Sequence, residues 1–482
     1  MAEPGMTELC DRSAVELRAL MRRREISPVE LLNSCLARIA AVNPTLNAVV
    51  ALDAPGARAA ALDAEASFRA DDTPPALTGL PVGIKDLNET KGLRTTFGSP
   101  LYADHVPLED TGVVRRLRAA GGIVAAKTNT PEFGAGANTD NAVYGFTGNP
   151  FDPLKTCAGS SGGSAVALAT SMLPLCNGSD LGGSLRTPAA FCGVVGLRPT
   201  PGLVAKTAPA VPTSPLSVEG PMGRSVADLA LLLSALAGED PDDLYSRPFE
   251  TAPLAELQPV DLGKLKVAVS EDLGFAPVDE EIRGLFRERV GAFRHLFRET
   301  QDRDPAMADA NRVFEVLRSV GFLAAHLEKV ERQPDKVGAN VTANVKLGLT
   351  FDAKDVAWAS ERHGRIARDF SALMEEVDLL IAPGASAKPF AKGQSYPAEI
   401  NGKPLDTYIH WVAISYGLTL TGHPVLCLPC GLDGDGMPFG LQIVGRRWDE
   451  RRLLSIGAAL ERALAELPGC APPRPDIAAL ST

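Results

Sequence analysis

The sequence lacks the features that direct a protein to a membrane or to nucleic acid. No apolar run approaches the roughly 20 residues that span a bilayer. The N-terminus has no basic segment followed by an apolar one, as a secretory signal would. Positive charge is also in deficit: the formal net charge is −11, whereas nucleic-acid binding needs Lys and Arg to neutralise phosphates. We therefore expect a cytoplasmic protein with no membrane and no nucleic-acid partner.

Cysteine and histidine are scarce, and neither forms a metal-binding pattern. The 482 residues include eight cysteines, most of them among apolar neighbours typical of buried thiols. Cys427 and Cys430 have C-x-x-C spacing, but no second pair or spaced histidine follows, which argues against a zinc site. Six histidines occur, none near the glycine-rich segment described below. We expect no metal and no cofactor, and acid–base chemistry in that segment needs another base.

The remaining composition and patterning predict an α/β protein. Ser13 and Ser27, each followed three residues later by Glu, predict capping boxes that begin two amphipathic helices. From about residue 78, the β-branched runs GLPVGIKD, GGIVAAKT and LKVAVSED alternate with helical stretches, which favours layered sheet and helix. Residues 280–380 are largely helical in pattern. A hairpin with its loop around 432–437 and a helix over 450–465 are predicted near the C-terminus.

The most informative segment covers residues 156–200 and contains two glycine-flanked serines, Ser160 and Ser184. Glycine is unfavourable inside helices and strands, so this density indicates backbone that turns sharply or approaches a ligand closely. Around Ser184, consecutive N–H groups of residues 181–184 can form an anion-binding nest beside a hydroxyl nucleophile. That pairing suits acyl transfer, in which N–H groups stabilise an oxyanion. A glycine-rich turn with incidental serines fits this motif equally well.

A serine nucleophile needs a base, and Lys85 is the candidate. It ends the apolar run PVGIK, which predicts a partly buried lysine. Burial lowers a lysine pKa from its ordinary value of about 10.4, so a neutral Lys85 can accept a proton. The alternative is an exposed lysine that extends from the end of a strand into solvent.

Several segments, taken in chain order, resemble the amidase signature family: PVGIKD, AKTNTPEFG, AGSSGGSA, GSDLGGSLRTPAAFCGVVGLRPT, GPMGRSVADLALLL, GHPVLCLPCG and MPFGLQIVG. The spacing between Ser160 and Ser184 also fits the family. The resemblance covers about residues 8–465 and is weakest over 280–405. It implies a single large domain, residues 1–482, with a central mixed β-sheet flanked by helices on both faces. Within it we expect N-terminal helices (8–75), a signature core (76–240), a mainly helical variable region (241–400), and C-terminal strands and a helix (401–465).

The resemblance also implies a site that hydrolyses a carboxylic amide to a carboxylate and an amine or ammonia. Ser184 would be the nucleophile and carry the acyl group, Ser160, after a cis peptide, the bridging serine, and Lys85 the base. The oxyanion hole would consist of the backbone N–H groups of Leu181, Gly182, Gly183 and Ser184. Two positions depart from the family's usual residues: Ala158 replaces a frequent Gly and Leu181 a common Thr.

Other residues near these motifs have predicted supporting roles. We expect Asp180 and Arg186 to fix the nucleophile loop through buried hydrogen bonds, the alternative being a surface ion pair, and Ser161 to support the triad. Asn129 and Thr130 either line the substrate cleft or shape a turn. The cleft walls are expected from residues 120–145, 300–350 and 385–425, with aromatic side chains from Phe133, Phe146, Phe314, Trp358 and Trp411.

Rival interpretations involve different residues or a different class of protein. Gly159 to Gly163 also matches the G-x-S-x-G nucleophile elbow, which would make Ser161 the nucleophile and His410 or His423 the base; the preceding sequence is a poor strand. No Ser-x-x-Lys motif or Walker A loop occurs. The glutaminase subunit of a tRNA-dependent amidotransferase and a non-catalytic binding scaffold remain as alternatives. The family resemblance makes a homodimer the expected assembly.

Overall fold

A mixed β-sheet of 11 strands forms the centre of the molecule. The structure, a computed structural model, describes residues 8–70, 73–207, 209–405 and 407–481. The strands of this described part are, in chain order, β1 (Val49–Leu52), β2 (Pro81–Lys85), β3 (Ile123–Thr128), β4 (Leu175–Asp180), β5 (Val195–Arg198), β6 (Val218–Gly223), β7 (Lys266–Val269), β8 (Glu299–Asp302), β9 (Leu379–Pro383), β10 (Glu399–Ile400), β11 (Lys403–Pro404), β12 (Val425–Leu432) and β13 (Pro438–Val444).

The strand order of the sheet is β1-β3-β2-β4-β6-β5-β12-β13-β9-β7-β8, and β10 pairs separately with β11. Strand β2 is parallel to both of its neighbours, β3 and β4. Strand β6 is antiparallel to β4 and brings Glu219 opposite Ser179. The carboxyl ends of parallel strands meet at one edge of a sheet, where α/β proteins commonly bind ligands. Lys85, the last residue of β2, and Asp180, the last of β4, therefore end at the same edge.

Helices flank this sheet and cover its apolar faces, as a layered α/β domain requires. The described part of the chain has these helices: α1 (Ala14–Arg22), α2 (Pro28–Leu46), α3 (Ala54–Ala70), α4 (Gly112–Ala119), α5 (Gly162–Ala169), α6 (Arg186–Cys192), α7 (Val226–Leu236), α8 (Glu280–Phe293), α9 (Ala310–Arg332), α10 (Ala339–Gly348), α11 (Ala353–Glu376), α12 (Ala413–Thr421), α13 (Glu450–Glu466) and α14 (Ile477–Leu480). None of them is both long and apolar enough to cross a membrane.

The N-terminal caps explain where the first two helices begin. Ser27 accepts a hydrogen bond from the N–H of Glu30, and the Glu30 carboxylate accepts one from the N–H of Ser27, a complete capping box. Ser13 accepts from the N–H of Glu16, but the Glu16 carboxylate pairs with Arg12 instead. The prediction of two helices is thus confirmed, and the reciprocal half of the first capping box is wrong because Arg12 competes for the carboxylate.

The sequence pattern located most elements and missed two strands. The C-terminal hairpin is confirmed as β12 and β13, which pair from Val425 with Val444 onward, and α13 follows them. Residues 280–380 are mostly helix, but β8 and the start of β9 also lie there. Together with β7 they extend the same sheet, so this region adds an edge to the central sheet as well as helices.

Candidate active site

Lys85 is the centre of a cluster of buried hydroxyl groups. The side chain is fully buried, and its Nζ lies 2.7 Å from Ser160 Oγ, 2.9 Å from Ser161 Oγ and 3.0 Å from Ser179 Oγ. No carboxylate of the described residues lies within ion-pair distance of it. The strand-end position predicted from PVGIK is therefore correct, and the exposed alternative is wrong, because the apolar strands around β2 enclose the whole side chain.

Burial lowers the pKa of Lys85 to about 7, while the more distant carboxylates of Glu219 and Asp180 act in the opposite direction. A neutral amine has two N–H donors and one lone pair. Ser161 Oγ is already placed to donate its proton to the carbonyl oxygen of Ser179, at 3.3 Å, so it accepts from Lys85. The lone pair of the neutral amine is then available to the hydroxyl proton of Ser160, its shortest contact.

The hydroxyl of Ser161 is fully buried and occupied, which answers the elbow interpretation. Besides its contacts with Lys85 and with the Ser179 carbonyl, Ser161 Oγ accepts from the N–H of Ser179 at 3.3 Å. His423 contacts the Gly445 carbonyl and Ser371 instead. Ser161 does not line the cavity described below, whereas Ser160 does. The elbow interpretation, with Ser161 as nucleophile, does not fit this geometry.

Ser184 lies beside the cluster, in the loop between β4 and α6. The N–H of Ser161 donates to the carbonyl of Ser184 at 3.1 Å, which joins the two serine loops. The peptide bond between Gly159 and Ser160 is cis, as the resemblance implies. Ser160 and Ser184 both line one cavity of about 380 Å³, so the two hydroxyl-bearing loops share a single space open to a ligand.

Asp180 and Arg186 fix the nucleophile loop from below. Both are fully buried, and Arg186 donates from Nε and Nη2 to the two oxygens of Asp180, each at 3.0 Å. Arg198 adds a third contact, with Nη1 3.3 Å from Asp180. These cations hold the pKa of Asp180 well below its usual range, although burial alone would raise it. The prediction of buried hydrogen bonds is confirmed, and the surface ion pair is wrong.

The predicted oxyanion hole needs one correction, at Gly183. Its N–H donates to the Asp180 carboxylate at 2.9 Å and is not available to a ligand in this geometry. Gly183 is required for another reason: its φ of +126° lies in the region that favours glycine, and a Cβ there would lie 2.6 Å from the Cβ of Ser415. The N–H groups of Leu181, Gly182 and Ser184 make no hydrogen bond within the described residues, and all three residues line the cavity.

The cavity walls come from four parts of the chain. Residues 133–137, 314–326 and 408–412 were within the predicted ranges, whereas the wall from 206–219 was not anticipated. Phe133 and Phe314 line the cavity as expected. Three other aromatic residues do not line it: Phe146, Trp358 and Trp411. Trp411 is instead fully buried and packs against Phe191 and Phe390.

Asn129 and Thr130 do not line this cavity, so their predicted role in substrate binding is wrong as stated and the turn interpretation fits. Both are fully buried. The Asn129 side chain donates to Thr147 Oγ1 at 2.9 Å and accepts from Asn141 at 2.7 Å. These bonds consume the amide, and the pair serves to hold the loop that follows β3.

Sequence comparison now decides the family. The profile of the Amidase family matches residues 30–454, which is most of the chain and includes every residue of the cluster. The chain belongs to the amidase signature family. It is therefore an enzyme that acts on amides, with a fold in which the sheet edge and glycine-rich loops described above are the shared core.

Individual relatives agree with this assignment of the amidase. It is 35% identical to the A-type subunit of glutamyl-tRNA(Gln) amidotransferase from Roseiflexus sp. (strain RS-1), over 95% of this chain and 97% of the relative. A bacterial aryl acylamidase of the amidase signature family superposes with a TM-score of 0.85 at 27% identity, covering 94% of this chain and 96% of that one. A 6-aminohexanoate cyclic dimer hydrolase complexed with substrate also gives 0.85, at 28% identity, covering 98% and 100%.

Three residues of the amidase site were missed at the sequence level. Ser179 contacts Lys85, Glu219 faces Ser179 across β4 and β6, and Arg198 contacts Asp180. Ser179 had a usable signal: it stands two residues from Asn177 on β4, so both side chains lie on one face, and Asn177 accepts from the N–H of Lys85. Glu219 and Arg198 lacked one, because strand pairing across long sequence separations decides their position.

A possible metal-binding group lies far from this cluster. Within the described chain, Glu8, Cys10 and Asp11 are the residues whose ligand atoms come together in this way. Arg38 occupies the space between the two carboxylates, 2.9 Å from Glu8 and 3.0 Å from Asp11. The cation needed there is supplied by the protein itself, so this group is an ion-pair cluster.

Proposed function

We propose that this amidase hydrolyses a carboxylic amide through an acyl-enzyme on Ser184, with Ser160 and Lys85 as the proton relay. The observation that carries the proposal is the 2.7 Å contact between Lys85 Nζ and Ser160 Oγ. It joins a buried lysine without a carboxylate partner in the described chain to a serine that shares a cavity with Ser184.

The relay accounts for each proton. Neutral Lys85 accepts the proton of Ser160 while Ser160 takes that of Ser184, and Ser184 Oγ forms a bond to the amide carbonyl carbon. When the C–N bond breaks, the proton returns along the same path to the departing amine. Water then attacks the ester by the same route and releases the carboxylate and free Ser184.

The backbone of the nucleophile loop supports charge on the substrate oxygen. The N–H groups of Leu181, Gly182 and Ser184 are the donors without a partner among the described residues. An oxyanion-hole donor typically contributes about 3 kcal/mol to stabilising the transition state. Gly183 holds the loop in shape through Asp180 instead, so we infer three donors rather than the four that the resemblance implied.

The test is hydrolysis of a chromogenic anilide by the isolated protein. We expect Ser184→Ala to lower kcat/KM by about 10⁴-fold or more and Ser161→Ala to retain most activity. A fluorophosphonate should label Ser184, as peptide mapping would verify. Loss of activity in Ser161→Ala with full activity in Ser184→Ala would overturn the proposal, and a chain that neither turns over amides nor reacts would support the binding-scaffold alternative.

A second candidate is the glutaminase reaction, favoured by the 35% identity to a polypeptide of glutamyl-tRNA(Gln) amidotransferase. Free glutamine carries an ammonium group that needs an acidic partner. Glu219 is the one carboxylate among the described residues that line the cavity, and it faces the positive charge of Lys85. We therefore rank this candidate second. Release of ammonia from glutamine at rates comparable to those with simple amides would reverse the ranking.

The assembly and location follow from the same resemblance. We infer a cytoplasmic homodimer that needs no other subunit for amide hydrolysis. The alternative is a partner subunit, since relatives of this length are named as subunits of an amidotransferase. Light scattering on the purified chain, together with activity measured at the same concentration, tests both points.

A further inference from the structure

Arg318 is a buried cation without a carboxylate partner in the described chain. It is only 5% exposed, and its two hydrogen-bond partners are neutral: the side-chain oxygen of Asn344 and the hydroxyl of Tyr408. The rings of Phe322 and Tyr408 lie 4.5 Å and 5.2 Å from the guanidinium carbon. An arginine has five N–H donors, so three remain without a protein partner here.

The other buried arginines of the described residues show how unusual this is. Arg38, Arg186, Arg198 and Arg289 each lie within 4 Å of a carboxylate. Burying a charge is unfavourable unless it is paired, and these four obey that rule. Arg318 alone among them departs from it, which suggests that its counter-ion is not part of the protein.

The location of Arg318 says what that counter-ion would belong to. Arg318 lines the cavity that contains Ser160 and Ser184. Along α9 the cavity-lining residues Phe314, Arg318 and Phe322 recur every four positions, so they lie on one helical face. A Cβ at Gly321, on the same face, would meet no described atom within 4 Å. There is open space beside the guanidinium, on the side of the helix that borders the cavity.

The distance to the reacting centre is short. The Phe314 ring lies 2.9 Å from where a Cβ of Gly182 would be, so this end of α9 touches the predicted oxyanion loop. Arg318 is one helical turn further along, with Cβ atoms about 6 Å apart. A group a few bonds away from the scissile carbonyl can therefore reach Arg318.

The two other charged side chains on the cavity wall already face opposite charges. Lys206 faces the carboxylates of Asp243 and Glu219, and its Nζ donates to the Ser217 carbonyl at 2.8 Å. Glu219 in turn faces Lys85, Lys206 and Arg116. Only the guanidinium of Arg318 adds a charge that nothing in the described wall balances.

We propose that the substrate of this amidase carries a carboxylate, a few bonds from its amide, that binds Arg318. The proposal rests on the hydrolytic function proposed above and narrows its substrate class to anionic amides. Arginine suits this role because its planar fork can donate two parallel hydrogen bonds to one carboxylate. Phe322 and Tyr408 hold the fork in place by packing against its faces.

The test compares matched anionic and neutral amides. On the acyl side the pair is glutaric acid mono-4-nitroanilide and pentanoic acid 4-nitroanilide; on the amine side it is 4-acetamidobenzoate and 4-methylacetanilide. We expect kcat/KM to favour the anion in at least one pair, and Arg318→Gln to reduce that preference by about 10- to 100-fold, the range for one charged hydrogen-bond partner. Arg318→Lys should retain part of it. Arg312→Gln, on the same helix but paired with Glu315 outside the cavity, is the matched control and should change nothing.

A binding measurement separates this inference from the catalytic proposal. Calorimetry with Ser184→Ala should show glutaramate binding more tightly than pentanamide, and the difference should disappear when Arg318→Gln is added. Hydrolysis without any preference for the anion, or a preference that survives in Arg318→Gln, overturns the inference and leaves the function intact. Selective binding of glutaramate without hydrolysis or labelling of Ser184 overturns the function and leaves the carboxylate site. Failure of both amides to bind counts against the inference.

Discussion

Lys85 Nζ lies 2.7 Å from Ser160 Oγ, inside a wall of apolar strands and hydroxyl groups. Burial disfavours the charged form and lowers the pKa of Lys85 to about 7. Lys127, on the neighbouring strand and also fully buried, differs because Asp86 lies 3.8 Å away. The base of the proposed relay is thus the buried lysine that lacks an adjacent carboxylate among the described residues.

The pH dependence of catalysis follows from this environment. Lys85 must be neutral to accept a proton, so kcat/KM should fall as the pH drops below about 7, by about tenfold per pH unit. Above that pH the activity should reach a plateau that extends into the alkaline range. The measurement is a pH profile of kcat/KM with an uncharged anilide. An optimum near pH 5 would contradict the role of Lys85.

Glu219 should set the position of that pH limb. Its carboxylate raises the pKa of Lys85 against the effect of burial, so Glu219→Gln should move the acid limb to lower pH. The comparison is with Glu328→Gln, an exposed carboxylate paired with Arg332 on α9, which should leave the profile unchanged. A limb that stays in place or moves to higher pH in Glu219→Gln would show that this carboxylate does not act on Lys85.

Local patterns in the sequence were sufficient for the parts of the site that belong to one segment. The glycine density around Ser184, the apolar run before Lys85 and the charge pair of Asp180 and Arg186 each predicted a feature that the structure contains. Each signal depends on residues within about ten positions, where propensity and hydrophobic pattern are informative.

The features that sequence reasoning missed depend on contacts between distant segments. Glu219 faces Ser179 only because β6 pairs with β4, and Arg198 reaches Asp180 from β5. Likewise, the Gly183 N–H was assigned to the oxyanion hole because nothing in the local motif shows that the Asp180 side chain folds back to accept it. Side-chain hydrogen bonds of this kind are decided by tertiary packing, which no local pattern encodes.

Gly182 should tolerate a methyl group only if its neighbour gives way. A Cβ at this position would lie 2.9 Å from Phe314 Cζ, closer than two carbons normally approach. Gly182→Ala should therefore displace the oxyanion loop and lower kcat/KM by about 10- to 100-fold, the effect of a misplacement near 1 Å. Adding Phe314→Leu should restore part of the loss. If the double variant is no better than Gly182→Ala, the loss does not come from this contact.

The Asp180 network should dominate the stability of the nucleophile loop. Asp180→Asn leaves Arg186 and Arg198 buried without their counter-ion, and breaking a buried pair in this way destabilises a protein by about 3–5 kcal/mol. Urea unfolding at neutral pH should measure this loss. Glu328→Gln, which breaks the exposed pair with Arg332, should have little effect because solvent screens that pair.

The same network predicts how stability changes with acid. The folded protein holds the pKa of Asp180 below its ordinary value of 3.8, so the stabilisation is complete above that pH and declines as the pH falls below it. The difference in free energy of unfolding between the wild-type protein and Asp180→Asn should therefore be constant from neutral pH down to about 5 and shrink at lower pH. A difference that grows with acid would mean that Asp180 is protonated in the folded protein and that the two arginines are balanced by another group.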